Sequence, residues 1–221
     1  MGVKSGLSRR WRPGARQTEV KVKRKRADKR LERRLKFVRK IDGLKRILRQ
    51  SLIMSGGRRE NSAEHSWHLA VMVMLLHEYA AGKIDVGKAI RMALVHDIPE
   101  TYAGDHFIYD ARAQRRRVAR EKAAAKRIFG FLPAGQAGEM RRLWEEYEEN
   151  KSPEARFVRA LDRLEPLICN CLTNGSAWRR HRVNARMVYD LNRAGMEFAP
   201  ALWRYAEGIL ASAVRKGILK I

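Results

Sequence analysis

From about Asp28, the apolar residues Leu31, Leu35, Val38, Ile41, Leu44 and Leu48 recur at three- and four-residue steps, with Lys and Arg between them. That spacing lines one face of an α-helix. Ser55-Gly56-Gly57 breaks the pattern and marks a turn. Asn61 reads as an N-cap, with Glu64 completing a capping box three residues on. The helix it opens is expected to run to about Ala81, with Gly82 as its stop. Another helix starts near Asp85 and carries Val86, Ile90, Ala93 and Leu94 towards His96-Asp97. Pro99 and Gly104 punctuate the next stretch, and residues 104–109 form a loop.

A cationic helix is expected over about 113–129. Pro133 opens another, with Met140, Leu143, Trp144 and Tyr147 on its inner face. Ser152-Pro153-Glu154 supplies a cap, a proline at the first helical position and an acid in the first turn. The helix behind it buries Phe157, Val158, Leu161, Leu164 and Ile168. Two more helices are expected near 184–194 and 199–216. No alternating strand pattern and no internal repeat is evident. The chain therefore reads as all-α.

Charge divides this picture in two. The net charge is +24, and residues 1–40 hold 17 Lys/Arg against 3 Asp/Glu, or +14. The other 181 residues hold 31 and 21, or +10. Residues 1 to about 28 are too polar to offset their ordering entropy and read as disordered in isolation. The expected organisation is thus a basic arm over 1–40, disordered to helical, and a helical bundle over 41–221. A hydrophobic fraction of 45% suffices for a core in the second part. Cys169 and Cys171 sit on different faces of one helix and offer neither a disulfide nor a Cys-x-x-Cys zinc site. No apolar run reaches the ~18–20 residues of a membrane span, and the first residues lack a signal's apolar core. A cytoplasmic setting is the expectation.

The candidate chemistry lies in His65, the His96-Asp97 pair and Asp162, two imidazoles and two carboxylates on three separate helices. A helical bundle can aim all four inwards to hold a divalent metal with open positions. His96 and Asp97 are neighbours, so both reach one ion only near a helix end, and Pro99 supports a disturbed helix there. Asp162 lies in the otherwise apolar stretch Phe157-Val158-Arg159-Ala160-Leu161-Asp162-Arg163-Leu164. An acid there needs a partner: a metal, or a salt bridge to Arg159 or Arg163.

Several segments bear on that choice. Arg58 to His68 resembles the opening helix of HD-superfamily phosphohydrolases, in particular the branch of the 5′-deoxynucleotidases and HD domain-containing protein 2. Leu94-Val95-His96-Asp97-Ile98-Pro99-Glu100 is similar to the second motif of that branch, and Ala103-Gly104-Asp105 to its following loop. Leu143 to Glu148, Ser152 to Phe157 and Leu161-Asp162-Arg163-Leu164 continue the likeness, which runs over about 41–215. The resemblance implies a single HD-domain helical bundle. It implies one divalent ion (Mn, Co, Fe, Zn or Mg) on His65, His96, Asp97 and Asp162. It places Glu100 beside the attacking water, and Asp105 on the substrate's sugar or beside the metal. It also implies a homodimer. Arg58 and Arg59, just before the His65 helix, are candidates to clamp the phosphate. His68 is expected behind the ligands or in packing.

One departure stands out. The deoxynucleotidases carry an Arg-Trp pair about fourteen residues before the first ligand, and counting back gives Gln50-Ser51 here, with Arg49 adjacent. That leaves the preference for deoxynucleoside 5′-monophosphates open. In the loop Asp105 to Asp110, the aromatic residues either stack on a base or close the pocket. The run Lys21 to Arg26 could hold nucleic acid through phosphate contacts without sequence recognition. Two functions remain: a phosphomonoesterase acting on a nucleotide, or a nucleic-acid-binding helical protein with an idle metal site.

Overall fold

A computed structural model describes residues 13–221, with side chains from residue 26 onwards apart from 111–113. The first twelve residues of the basic arm lie outside this range. Helix α1 spans Pro13–Ile41 and is followed by a 3-10 turn, Asp42–Arg46. Strand β1 (Leu48–Leu52) pairs antiparallel with β2 (Arg59–Asn61). Then come α2 (Ser62–Leu76), α3 (Val86–Val95), α4 (Glu100–Ala103), α5 (Ala111–Phe129) and α6 (Ala134–Glu149). Helices α7 (Pro153–Leu172), α8 (Ser176–His181), α9 (Ala185–Gly195) and α10 (Pro200–Arg215) complete the chain. The fold is helical, as expected, apart from one small hairpin.

The caps read from the sequence set the helix starts. Asn61 accepts from the amides of Ala63 and Glu64 at 3.1 and 3.0 Å, and the Glu64 carboxylate accepts from the Asn61 amide at 3.2 Å. Asp85 caps α3 through Lys88, and Ser152 caps α7 through Ala155. Helix α2 is shorter than expected, giving way at His77 to a 3-10 turn that ends at Tyr79.

Helix α7 is the centre of the bundle. Phe157, Leu161 and Leu164 are fully buried against α2, α3, α6, α9 and α10. A second apolar cluster joins Phe37, Val95, Ile98, Ile128, Phe129 and Trp144. The first cluster holds the part of α7 that carries Asp162, and the second holds Val95 and Ile98 on either side of His96-Asp97.

In the arm, the described residues take the helical form of the expected disordered-to-helical range. Residues 13–28 are helical and continuous with the rest of α1. Of the expected stripe, Leu31, Leu35 and Val38 are exposed, while Ile41 and Leu44 pack inwards together with Phe37. The Arg33 guanidinium donates to the carbonyls of Gly130, Phe131 and Leu132, which follow the end of α5. A helix C-terminus leaves such carbonyls unpaired and favours a cation there. Docking of α1 thus begins before residue 40, ahead of the boundary drawn from charge. No helix among the described residues is long and apolar enough to cross a membrane.

The hairpin is absent from the expected elements. Its register runs from Leu48 opposite Asn61 to Leu52 opposite Arg59 and is irregular between them. Gly56 and Gly57 both take positive φ (79° and 82°) in the connecting turn, a backbone that glycine adopts without strain.

Candidate metal centre and its pocket

The capping box holds the first turn of α2 rigid, and His65 projects from it into full burial. Its Nε2 lies 3.0 Å from Asp162 Oδ1. Its Nδ1 faces two further carboxylates, Glu165 at 3.5 Å and Glu60 at 3.7 Å. Burial opposes a charged ring, and Arg49 adds to that, yet the bonds to Asp162 and Glu165 raise the His65 pKa to about 10.

The neighbours His96 and Asp97 reach one point because α3 stops at Val95. His96 is its C-cap, and Pro99 carries the chain into α4. His96 Nδ1 sits 2.7 Å from the Ala93 carbonyl. A carbonyl only accepts, so Nδ1 carries the proton and Nε2 presents its lone pair to the site. That Nε2 is buried without a hydrogen bond, 3.1 Å from Asp97 Oδ1. Burial pushes the His96 pKa down.

Asp162, in the middle of α7, turns to His65 and accepts from Tyr147 Oη at 2.7 Å. The alternative, a salt bridge to Arg159 or Arg163, is not made. Burial would raise its pKa, but the bond from His65, then the charges of His65, His96 and Arg49, hold it well below the usual carboxylate range.

The cation at the centre is Arg49, on β1. It donates to Asp97 Oδ2 at 3.1 Å and lies 3.5 Å from Glu60 and 3.8 Å from Asp162. Arg58 and Arg59 do not join it. Arg58 is exposed and pairs with Glu64 at 2.8 Å, and Arg59 ties the hairpin through the carbonyls of Leu48 and Arg49. Both are spent on β2 and the cap of α2, and neither lines the pocket.

Glu100 opens α4, buried, and accepts from Ser62 Oγ at 2.6 Å. Burial, then the charges of Asp97 and Asp105, push its carboxyl well above the usual range against the pull of Arg49. Asp105 follows Gly104 (φ 76°) and also lines the pocket, its pKa raised by burial. The loop after it, His106 to Tyr109, forms one wall. Gln50 and Ser51 line the same cavity. Gln50 Oε1 meets His181 Nε2 at 2.9 Å, and the His181 ring lies 4.1 Å from that of Phe107. Arg49, the residue adjacent to the counted Gln50-Ser51 pair, lines the cavity together with both of them.

Glu60 and Glu165 are site residues that the sequence reading missed. Glu165 is wholly buried, accepts from Cys169 Sγ at 3.0 Å and also faces His68 Nδ1 at 3.8 Å. The signal was present: like Asp162, it is an acid on the inner face of an apolar helix, one turn on.

The donor set fits a divalent cation. Ligand atoms of His65, His96 and Asp162 all lie within 4.8 Å of one another. Asp97 adjoins them, and the unpaired His96 Nε2 is a ligand atom without another employment. Mixed nitrogen and oxygen donors suit Mn, Co, Fe, Zn or Mg. Glu60 and Glu165 stand behind His65, on the side where a carboxylate orients a ligating imidazole.

Comparison with known proteins agrees with this geometry. The HD domain model matches residues 41–203, and the chain belongs to the HD-domain family. Among its relatives, the human 5′-deoxynucleotidase HDDC2 is 34% identical over 135 residues, covering 61% of this chain and 65% of that protein. The corresponding Xenopus laevis protein is 35% identical over 135 residues, covering 61% and 66%. The chain thus spans just under two thirds of the length of these curated relatives. A solved structure described as a "predicted metal-dependent phosphohydrolase", from Magnetospirillum magnetotacticum, is 45% identical with a TM-score of 0.81, covering 87% of this chain and 100% of that one. The PH0347 protein from Pyrococcus horikoshii is 26% identical with a TM-score of 0.58, covering 82% and 98%.

Proposed function

We propose that this protein is a metal-dependent phosphohydrolase that cleaves the phosphomonoester of a nucleotide, as the names of its 5′-deoxynucleotidase relatives suggest. The observation that carries the reading is the convergence of His65, His96 and Asp162 beside Asp97, at the floor of a pocket that His96, Asp97 and Asp162 line. His65, His96, Asp97 and Asp162 would hold one divalent ion. When bound, such an ion lowers the pKa of a water and neutralises charge on a phosphoryl oxygen.

The chain's own groups then have distinct tasks. Glu100 is the proton acceptor for the attacking water, its carboxyl buried beside Asp97 at the pocket wall. Ser62 Oγ fixes the Glu100 carboxyl by the 2.6 Å bond. Asp105 hydrogen-bonds the substrate's sugar from the loop that walls the pocket. Arg49 holds Asp97 and Asp162 in place and adds positive charge where phosphate arrives. Tyr147 donates to Asp162 Oδ2 and leaves Oδ1 for a ligand role. The expected partner is a small nucleotide, in a homodimeric and cytoplasmic protein.

The test is phosphate release. Protein stripped of metal is reloaded with Mn, Co, Mg or Zn and given a panel of nucleoside monophosphates. Release that depends on metal and disappears in His96→Ala supports the reading. Silence with every metal, or unchanged release in His96→Ala, overturns it.

A further inference from the structure

Four arginines line the pocket: Arg49, Arg117, Arg159 and Arg163. Three have partners. Arg49 faces Asp97 and Glu60. Arg117 is held by Glu121 at 2.7 Å and Glu148 at 2.9 Å. Arg159 donates to the Tyr147 carbonyl at 2.8 Å and lies over the Tyr147 ring. Among the described residues, no hydrogen bond or ion pair reaches the Arg163 guanidinium, and its Nε is sealed from solvent without a partner.

This arrangement is costly. Arginine stays charged in proteins, and Arg163 is half-buried with no acceptor, a position that costs free energy until an anion fills it. Its nearest acid in sequence, Asp162, is turned away to His65 and Tyr147. Burial lowers the Arg163 pKa, which Asp162 and Tyr147 only oppose. The stem is also fixed in place. It runs along Gly195 of α9, where an added Cβ would stand 3.1 Å from Arg163 Cγ and 3.5 Å from its Nε. A side chain at 195 would press on the stem, so the glycine keeps that path open.

We propose that Arg163 binds the substrate's phosphate, receiving its non-bridging oxygens on the two terminal Nη groups of the guanidinium. That is the clamp which sequence position suggested for Arg58 and Arg59. The fork of donors matches phosphate oxygens in pairs. The residue next to it on α7 is the ligand Asp162, so one rigid element carries both a metal ligand and the anion donor into one cavity. The identity of the substrate rests on the phosphohydrolase reading above; the anion site does not.

Inorganic phosphate is the probe, titrated by calorimetry into the metal-loaded full chain as wild type, Arg163→Met and Arg163→Lys. Losing a charge-assisted pair of hydrogen bonds should weaken phosphate binding roughly tenfold to a hundredfold in Arg163→Met. Arg163→Lys should recover part of it through charge alone. The melting temperature of ligand-free Arg163→Met should match or exceed wild type, since an unpaired cation leaves a shielded place. A purely structural arginine would move it down. A nucleoside without phosphate should bind wild type and Arg163→Met alike.

The proposal is overturned by wild type that does not bind phosphate, by unchanged phosphate affinity in Arg163→Met, or by an affinity loss that only follows a fall in melting temperature. It is also overturned if nucleoside binding falls while phosphate binding holds, which would put Arg163 at the base. The two readings separate cleanly. Phosphate binding that depends on Arg163 without nucleotide turnover contradicts the phosphohydrolase reading alone. Turnover with Arg163-independent phosphate affinity contradicts this inference alone.

Discussion

The two ring nitrogens of His65 look onto different surroundings. Nε2 faces Asp162 at 3.0 Å, on the side of His96, Asp97 and the open pocket. Nδ1 faces Glu165 and Glu60 at 3.5 and 3.7 Å, in a closed interior where Glu165 is wholly buried. Three acidic groups around one imidazole could each hold a cation. The difference is access: one side opens to a cavity that admits a substrate, and the other is closed in by Cys169 and His68 beside Glu165 and by Arg49 beside Glu60. A metal that does chemistry needs open positions. The closed side is suited to orienting the ligand from behind.

The largest effect should come from the open side. Asp162→Asn keeps the size of the side chain but removes the charge that faces His65, His96 and Arg49. Metal-dependent phosphate release should fall to background, with bound metal, measured by elemental analysis, lost in parallel. Retained metal and retained release would break the assignment of Nε2 as the ligand side.

Next is Glu100→Gln, which keeps a hydrogen-bond acceptor for Ser62 but no base. Steady-state assays should show kcat lower by about 10²–10⁴-fold, with metal content unchanged. A loss of metal instead would make Glu100 a ligand.

Smaller again is Glu165→Gln, on the closed side. An orienting carboxylate is worth about 10–100-fold in metal affinity, so a competition titration with a chelator should show a weakening in that range. A loss as complete as that of Asp162→Asn would mean the metal sits on the Nδ1 side. No change would leave Glu165 a packing residue.

The smallest consequence for the site comes from Phe37→Ala. It empties a buried position in the second cluster, at roughly 3–5 kcal/mol of stability. Chemical denaturation should report that loss while metal affinity per folded molecule stays as in wild type. The same contact bears on truncations of the arm: cutting before residue 28 spares Phe37 and Arg33, whereas removing 1–40 takes both away.

Much of the site was legible because metal chemistry restricts residue type and order. His65, His96-Asp97 and Asp162 could be placed from motif and flanks, and the caps Asn61, Asp85 and Ser152 followed from side-chain chemistry at helix starts. The candidate clamps Arg58 and Arg59 do not line the pocket, because closeness in sequence says nothing about direction. Arg58 and Arg59 adjoin the His65 helix, but the hairpin turns them to the cap and to β1, and brings in Arg49 from sixteen residues upstream of His65. The hairpin itself was invisible: Leu48-Arg49-Gln50-Ser51-Leu52 has polar residues at three consecutive positions and no alternation. Its polar centre makes sense only beside the pocket that Arg49, Gln50 and Ser51 line. Residues 13–28 were read as disordered in isolation because few of them are large and apolar, and their helix is continuous with the rest of α1.

The most direct test of the central claim is calorimetric titration of a divalent metal, Mn or Co, into the stripped full-length protein and into His96→Ala. His96 is the proposed ligand whose Nε2 is buried and unpaired, with its tautomer set by Ala93. The account predicts one ion per chain in wild type and loss of that binding in His96→Ala with an unchanged melting temperature of the stripped protein. Equal binding by the two proteins, or none by wild type, would contradict it.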